Sequence, residues 1–290
     1  MNQTTAVKTP EDRYLSLDGI SIRYRDTGGD GPAVLLTHGI AASLEMWYPQ
    51  LEALGPSLRI IAWDLPGHGL SALGHQPYDP DKFATVGIQF LDALKIGAVV
   101  LVGNSMGGGI SLRMAGLQPH RVKGLLLADA ATLARSVFIG FRLMTLPVLG
   151  EIMNKPGPMA VDQQLKGIFH DPSVITDDFR AIVTRNVMQP DRVKPFLATM
   201  RLMSNIAGQR AAMVKKSHAL LAEVSMPTVI LHGRQDTVLP LEGSLAAHRL
   251  APQTEMIVLE NCGHTPQIEQ HDQFNQVIRN LVARAMKPTE

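Results

Sequence analysis

One serine in the chain has neighbours that suit a nucleophile. Ser105 is the central residue of the segment GNSMG, which follows an apolar, β-branched stretch and precedes a helix-like one. A sharp turn from a strand into a helix leaves little room for side chains beside its central residue, and Gly103 and Gly107 meet that condition. The first N–H of the following helix, on Met106, would point at the serine oxygen and could hydrogen-bond an oxyanion. The spacing predicts a nucleophilic serine, although segments of this kind also occur in ordinary loops.

A serine hydroxyl is a poor nucleophile near neutral pH, so it needs a base and a carboxylate that orients the base. Both residue types follow later apolar stretches. Asp236 lies in HGRQD, after residues 228–231, and His264 lies in ENCGH, after residues 255–259. Because the carboxyl ends of parallel strands share one edge of a sheet, the loops that leave them converge. We therefore expect Asp236 and His264 to meet Ser105.

Other residues compete for these two roles. Asp129 also follows an apolar stretch, in LLLADAAT, and is an alternative acid, although Asp236 is the better candidate. Of the ten histidines, only His264 combines a strand end, a preceding glycine and a following helix. His38 and His68 are expected to organise the loops around the site instead.

Neither a metal site nor a cofactor site is predicted. The chain has one cysteine, Cys262, and no HExxH segment, so the usual spacings of metal ligands are missing. Residues 67–72 formally match the dinucleotide pattern G-x-G-x-x-A. The segment that follows, rich in turn residues, cannot supply the helix whose N-terminus would hold a pyrophosphate.

The composition limits the partners. Basic and acidic residues number 27 and 26, so no overall field attracts nucleic acid or an anionic membrane, and a small-molecule partner is expected. The lone cysteine excludes an internal disulfide. No signal-peptide core is seen at the N-terminus, and no apolar run approaches the roughly 18 to 20 residues that span a bilayer. We expect a cytoplasmic monomer or homodimer without stable membrane insertion.

Hydrophobic patterning indicates the elements that position these residues. Residues 14–17 and 20–24 alternate about Asp18-Gly19, which is typical of a two-residue hairpin. Six later stretches are short and mostly apolar, as in strands covered on both faces: 33–36, 59–63, 99–102, 125–128, 228–231 and 255–259. Helix-period stretches lie between several of them: 83–94, 105–117, 243–250 and 274–286. This alternation predicts an α/β fold with a doubly wound, mostly parallel sheet of eight strands.

The alternation fails between residues 132 and 222, where no strand pattern is seen and prolines recur. We interpret this segment as an inserted helical cap, with residues 1–131 and 223–290 forming the core domain. An apolar run within the cap, residues 138–149, could line an acyl pocket, contact a lipid interface or pack on the core, and the sequence favours lining or packing.

The chain resembles α/β-hydrolases from about residue 14 to residue 284, because four of its segments match that family in the right order. They are His38-Gly39, the segment DLPGHGLS at 64–71, GNSMGG, and the pair GRQD and GHTPQIE. The resemblance implies that Ser105 is the nucleophile, His264 the general base and then acid, and Asp236 the orienting carboxylate. It also implies an oxyanion hole made by the N–H of Met106 and that of Ile40 or Ala41. Five further residues are expected at the substrate site: His38, Gly39, Asn104, Phe141 and Met144.

The reaction expected from the resemblance is hydrolysis of carboxylic esters with small to medium apolar groups. The chain also resembles hydrolases of aromatic-ring meta-cleavage products, which split a carbon–carbon bond, but a tryptophan commonly follows the catalytic histidine there, and Thr265 follows it here. That chemistry also needs a cation for the substrate carboxylate, for which Arg180, Arg185 or Arg201 are candidates. Lactone hydrolysis and a non-catalytic binding protein are further alternatives.

Overall fold

A computed structural model of the chain describes residues 10–287. Ten strands are present in this part: β1 (Arg13–Leu17), β2 (Ile20–Asp26), β3 (Ala33–Thr37), β4 (Arg59–Trp63), β5 (Val99–Asn104), β6 (Val122–Ala128), β7 (Ser204–Asn205), β8 (Gly208–Gln209), β9 (Thr228–Gly233) and β10 (Glu255–Leu259). Eight of them form one sheet in the order β1-β2-β4-β3-β5-β6-β9-β10. β2 pairs antiparallel with β1 and β4, and all other pairs in this sheet are parallel. The predicted fold class is confirmed.

Twelve α-helices accompany the strands in the described residues: α1 (Tyr48–Leu54), α2 (Pro80–Ala93), α3 (Met106–Leu117), α4 (Ile139–Met144), α5 (Leu149–Met153), α6 (Pro158–Ile168), α7 (Asp177–Val187), α8 (Val193–Met203), α9 (Ala211–Glu223), α10 (Leu241–Leu250), α11 (Pro266–Glu269) and α12 (His271–Ala285). α2 begins earlier than the apolar period predicts, because the Asp79 side chain accepts a hydrogen bond from the Lys82 N–H and Pro80 suits the first helical position.

The core lies on both faces of the sheet. Along β5, Leu101 packs with α2 and α3 on one face, whereas Val100 and Val102 pack with α1 and α12 on the other. Successive side chains of a strand point to opposite faces, so a strand covered on both sides must be apolar throughout. This explains why the central strands show no polar alternation and why their ends, rather than their faces, carry the polar residues of the site.

Between residues 132 and 222 the described chain contains helices α4 to α9 and one short hairpin. The hairpin, formed by β7 and β8, was not predicted, since two-residue strands are too short to show a pattern. Residues 206 and 207 make the turn, and Gly208, which begins β8, has a φ of +108°. α9 packs against α3 and α10 in the helical layer of the sheet. The cap boundaries at 132 and 222 therefore stay a prediction.

Within residues 10–287, no helix combines the length and the apolar character needed to cross a bilayer.

Candidate active site

Ser105 occupies a strained turn between β5 and α3. Its backbone angles are φ 57° and ψ −121°, a conformation that non-glycine residues rarely adopt. The turn is this tight because a methyl group at Gly103 would overlap the carbonyl oxygen of Gly107, and one at Gly107 would overlap that of Thr37. Both positions therefore require glycine, because any side chain there would collide with backbone atoms, as the sequence predicted from the turn.

Backbone hydrogen bonds hold the turn in place. The Ser105 N–H donates to the Ala128 carbonyl at 2.9 Å, and the Ser105 carbonyl accepts from the N–H groups of Gly108 at 3.0 Å and Ala131 at 2.9 Å. Met106 is the first residue of α3, and its side chain is buried in the core. Helix N-termini leave their first N–H groups without intrahelical acceptors. The Met106 N–H, next to Ser105 in the chain, is one of these groups, so its role in an oxyanion hole stays a prediction.

Asp236 and His264 meet as the sequence predicted. His264 Nδ1 lies 2.7 Å from Asp236 Oδ2, and both side chains are buried. The other carboxylate oxygen, Oδ1, accepts from the N–H groups of Val238 at 2.7 Å and Leu239 at 3.1 Å. With the carboxylate fixed and Nδ1 bound to it, Nε2 is the ring nitrogen left for chemistry.

The two groups perturb each other's ionisation. Burial raises the pKa of the Asp236 carboxyl, but the rings of His264 and His232 outweigh it and hold the pKa well below the ordinary 3.8. Burial lowers the pKa of His264, but the charge and hydrogen bond of Asp236 outweigh it and hold the pKa above the ordinary 6.5. A carboxylate that stays ionised favours the imidazolium that forms when His264 takes a proton.

A second buried acid and a second buried histidine lie beside this pair. His232 Nε2 is 3.4 Å from Asp236 Oδ2 and 3.6 Å from Asp129 Oδ1. The His232 ring also faces two further acceptors, the Ser244 Oγ at 2.8 Å from Nδ1 and the Leu239 carbonyl at 2.9 Å from Nε2. Because acceptors face both ring nitrogens, the doubly protonated cation fits this position.

The charges in this cluster shift further pKa values. Burial lowers the pKa of His232, but Asp129 and Asp236 outweigh it and raise the pKa to about 9. Burial raises the pKa of Asp129 to about 7. Asp129 Oδ1 accepts the Gly233 N–H at 2.9 Å, whereas the hydrogen bond to His264 comes from Asp236. Asp236 is therefore better placed than Asp129 to orient His264.

The sequence pattern did not predict the role of His232 in this cluster. The signal was present, since His232 is a polar residue inside the apolar pattern of β9 and directly precedes the segment that carries Asp236. Among the described residues, Asp129, His232 and Asp236 form one group whose possible metal-ligating atoms lie within 4.8 Å of one another. Hydrogen bonds already occupy both nitrogens of His232 and both oxygens of Asp236, which leaves Asp129 Oδ2 as the one oxygen of the group without a partner, and a single free oxygen does not make a site for a resident metal.

A cavity of about 590 Å³ opens at Ser105. Its wall includes eight of the residues predicted at the site: Gly39, Ile40, Ala41, Asn104, Ser105, Phe141, Met144 and His264. Gly39 lies against the serine, because a methyl group there would sit 3.5 Å from Ser105 Oγ. Asn104 donates from Nδ2 to the His264 carbonyl at 3.0 Å and so ties the serine turn to the histidine loop. The cavity brings the serine, the histidine and the loop after β3 together.

His38 does not line the cavity, contrary to the expectation that it lies at the substrate site, and its contacts agree instead with the other expectation, that it organises a loop around the site. It is fully buried, and its Nε2 accepts the Leu65 N–H at 3.1 Å while Nδ1 donates to the Gly39 carbonyl at 2.7 Å. Burial, with a smaller contribution from His68, lowers the pKa of His38 to about 3. His38 is a neutral residue that fixes the Gly39 loop, and both of its ring nitrogens are used for that purpose.

The arginine in the cavity wall is not one of the three proposed from the sequence. Arg180 pairs with Asp162, Arg185 with Glu45, and Arg201 with Glu151. Arg192 lines the cavity instead, donating from Nε to Gln189 Oε1 and from Nη1 to the Ser71 carbonyl, both at 3.0 Å. Its position could not be found from the sequence, because it depends on how the helical segment folds over the sheet.

The chain is similar in sequence and in fold to several known proteins. A family model described as the alpha/beta hydrolase family matches residues 34–277. The chain is 31% identical, over 92% of its length and 68% of the relative, to the dihydrolipoyllysine-residue acetyltransferase component of the acetoin cleaving system of Pseudomonas putida. It is 28% identical to the 2-hydroxy-6-oxo-2,4-heptadienoate hydrolase of Pseudomonas putida, over 96% of this chain and 99% of that protein. The meta-cleavage product hydrolase from Pseudomonas fluorescens superposes with a TM-score of 0.79 at 26% identity, covering 94% of this chain and 98% of that one.

Proposed function

The chain belongs to the alpha/beta hydrolase family, and from that premise we propose that it is a serine hydrolase of carboxylic esters with small to medium apolar groups. One observation carries the proposal. The strained turn places Ser105 in the wall of a cavity that His264 also lines, and Asp236 holds His264 by Nδ1. This arrangement supports nucleophilic catalysis in which a base activates the hydroxyl and a buried carboxylate orients the base.

The reaction follows from these positions. Ser105 Oγ attacks the ester carbonyl carbon while His264 Nε2 takes the hydroxyl proton. The Met106 N–H and that of Ile40 or Ala41 bind the resulting oxyanion. His264 then returns the proton to the departing alcohol, and the acyl group stays on Ser105. A water molecule, deprotonated by the same nitrogen, attacks the acyl carbonyl carbon, and the acid leaves as His264 returns the proton to Ser105 Oγ. None of these steps requires a metal or a cofactor.

The lining of the cavity supports an apolar acyl group. The apolar side chains come mainly from the loop after β3 and from the helical segment: Ile40, Met46, Phe138, Phe141, Met144, Met153, Ile168, Val187, Val193, Phe196 and Val238. Ligand sites of this kind are mostly apolar, with a few polar groups that fix orientation. Unbranched methionine side chains adapt to more than one ligand shape.

A chain-length series of para-nitrophenyl esters tests the proposal. We expect saturable hydrolysis with a maximum of kcat/KM at short to medium acyl chains, and loss of that activity in the Ser105→Ala variant. Lactones of matched size belong in the same series, because the triad would open them by the same steps. Folded wild-type protein that hydrolyses none of these substrates faster than Ser105→Ala would refute ester hydrolysis.

A second candidate function, cleavage of a carbon–carbon bond in a meta-cleavage dienoate, is favoured by Arg192. This guanidinium lies in the cavity wall, where it can bind a substrate carboxylate. Thr265 still follows His264, in place of the tryptophan that is common in such enzymes. Comparing a ring-cleavage dienoate with a para-nitrophenyl ester as substrate decides between the two reactions. A kcat/KM for the dienoate at least tenfold above that for every ester would replace our first proposal by the second.

A further inference from the structure

Exposed apolar side chains are concentrated in one stretch of the helical segment. Of the thirteen large apolar side chains that are exposed in residues 10–287, six lie between positions 138 and 159: Phe138, Ile139, Leu146, Val148, Ile152 and Met159. Ile206 adds to this surface, since its carbonyl accepts a hydrogen bond of 2.7 Å from Arg142 Nε in α4. Scattered exposed apolar residues need no explanation, but such a concentration marks an interaction surface.

The inner side of this stretch is already packed. α4 and α5 contact each other, and both contact α8. Gly150 faces Leu197 of α8 so closely that a methyl group there would lie 3.2 Å from a Leu197 methyl carbon. The side chains at 146, 148 and 152 point away from these contacts and are 36%, 69% and 56% exposed. We call this outer face, formed by residues 138–159, the cap surface.

Val148 stands at the turn between α4 and α5 in a conformation that its side chain disfavours. Its φ of 68° and ψ of −50°, with the Leu149 N–H donating to the Pro147 carbonyl at 2.8 Å, define a rare, strained γ-turn. Glycine or asparagine adopts positive φ more easily than a β-branched residue. An apolar side chain held here, with no core to pack against, points to a role on the surface.

Charge and position favour one kind of occupant. Exposed Lys155, together with Arg142 of α4, lies within residues 138–159, and Arg135 and Lys166 lie just outside this range in the chain, Lys166 in the cavity wall. The acidic residues of this part of the chain, Glu151 and Asp162, are each paired with an arginine. Phe138, Met144 and Met153 line the cavity, so the apolar surface continues to the mouth of the site. Apolar side chains flanked by basic ones bind the headgroup region of anionic lipid.

We propose that the cap surface docks on the surface of anionic lipid and holds the mouth of the cavity against it. Docking is peripheral, and it gives apolar esters a path into the site that avoids water. Delivery of such esters rests on the proposed function, but lipid binding itself does not.

Vesicle flotation tests the docking. Full-length protein is mixed with phosphatidylcholine vesicles containing or lacking phosphatidylglycerol, and the floating fraction is measured at low and high salt. We expect the wild type to float with the anionic vesicles, less so at high salt. The double variant Val148→Glu/Ile152→Glu should bind at least tenfold more weakly. Leu250→Glu, which changes an equally exposed residue on α10, is the matched control and should bind like the wild type.

Hydrolysis of a water-soluble acetate ester separates this proposal from the proposed function. Neither Val148 nor Ile152 lines the cavity, so the double variant should keep wild-type turnover of that ester. Lipid binding without any ester turnover would refute the proposed function and leave the docking intact. Wild-type protein that fails to float, or a double variant that floats as well as Leu250→Glu, would overturn the docking. Sedimentation velocity showing a wild-type dimer that Val148→Glu/Ile152→Glu dissociates, without lipid binding, would assign the cap surface to a second copy of the chain.

Discussion

The charges of Asp129 and His232 should set the pH at which His264 works, and they should act in opposite directions. His264 Nδ1 lies 2.7 Å and His232 Nε2 lies 3.4 Å from the same oxygen of Asp236, so the two nitrogens are within about 6 Å of each other. With an effective dielectric constant of about 20, two unit charges at about 6 Å interact by about 3 kcal/mol, or about 2 pKa units. Solvent and counterions reduce this, and we expect about 1 to 2 units.

The direction in which each variant shifts the pKa of His264 follows from the charge that the variant removes. Asp129→Asn removes a carboxylate whose charge, present above its pKa of about 7, favours the protonated His264 ring, so the pKa of His264 falls and the acid limb of kcat/KM moves to lower pH. Adding His232→Gln removes a cation that opposes that protonation, so the limb moves back to higher pH. His232→Gln alone should shift the limb less, because Asp129 holds its proton more tightly once the nearby cation is gone.

The assay is the pH profile of kcat/KM for a soluble ester between about pH 5 and 9, on the wild type, both single variants and the double variant. Circular dichroism and thermal melting on each protein check that the buried substitutions leave it folded. If adding His232→Gln to Asp129→Asn leaves the limb in place or moves it to still lower pH, His232 does not act as a cation beside Asp236 and His264.

Three other predictions follow from the site. Gly107→Ala should lower the free energy of unfolding by several kcal/mol, because the added methyl group would overlap backbone oxygens. Gly97→Ala is the control and should cost far less, since its added methyl group meets nothing within 4 Å. Denaturant unfolding measures the difference. Arg192→Gln should lower kcat/KM on an anionic dienoate by at least about tenfold, from the loss of a charged hydrogen bond, yet change that on a neutral ester by less than about threefold; equal losses on both substrates would contradict a carboxylate-binding role. Ser105→Ala and His264→Ala should each lower kcat by roughly 10³ to 10⁶, and the double variant by little more, whereas multiplicative losses would contradict a shared mechanism.

The sheet and the meeting of Asp236 with His264 could be predicted from the sequence because local rules set both. A strand covered on two faces must be apolar throughout, which marks β3, β4, β5 and β9 directly. The carboxyl ends of parallel strands share an edge, so polar residues after β9 and β10 had to approach each other.

The loop-organising role of His38 was predicted, but the orientation of its ring and the roles of His232 and Arg192 depend on packing that spacing does not encode. His38 precedes a loop beside the site, but Leu65, from a distant segment, takes up its Nε2 and turns it inward. His232 lies within an apolar strand pattern, and its partners Ser244 and Asp129 come from other elements. Arg192 reaches the cavity only because the helical segment folds back over the sheet. The apolar periodicity of that segment does not show which side of each helix faces the cavity.

Labelling with a fluorophosphonate, followed by peptide mass spectrometry, tests the central claim most directly. We expect one adduct on the wild-type protein, located at Ser105, no adduct on Ser105→Ala, and labelling of His264→Ala slowed by orders of magnitude. A folded wild-type protein that stays unlabelled, or an adduct at another residue that persists in Ser105→Ala, would contradict it.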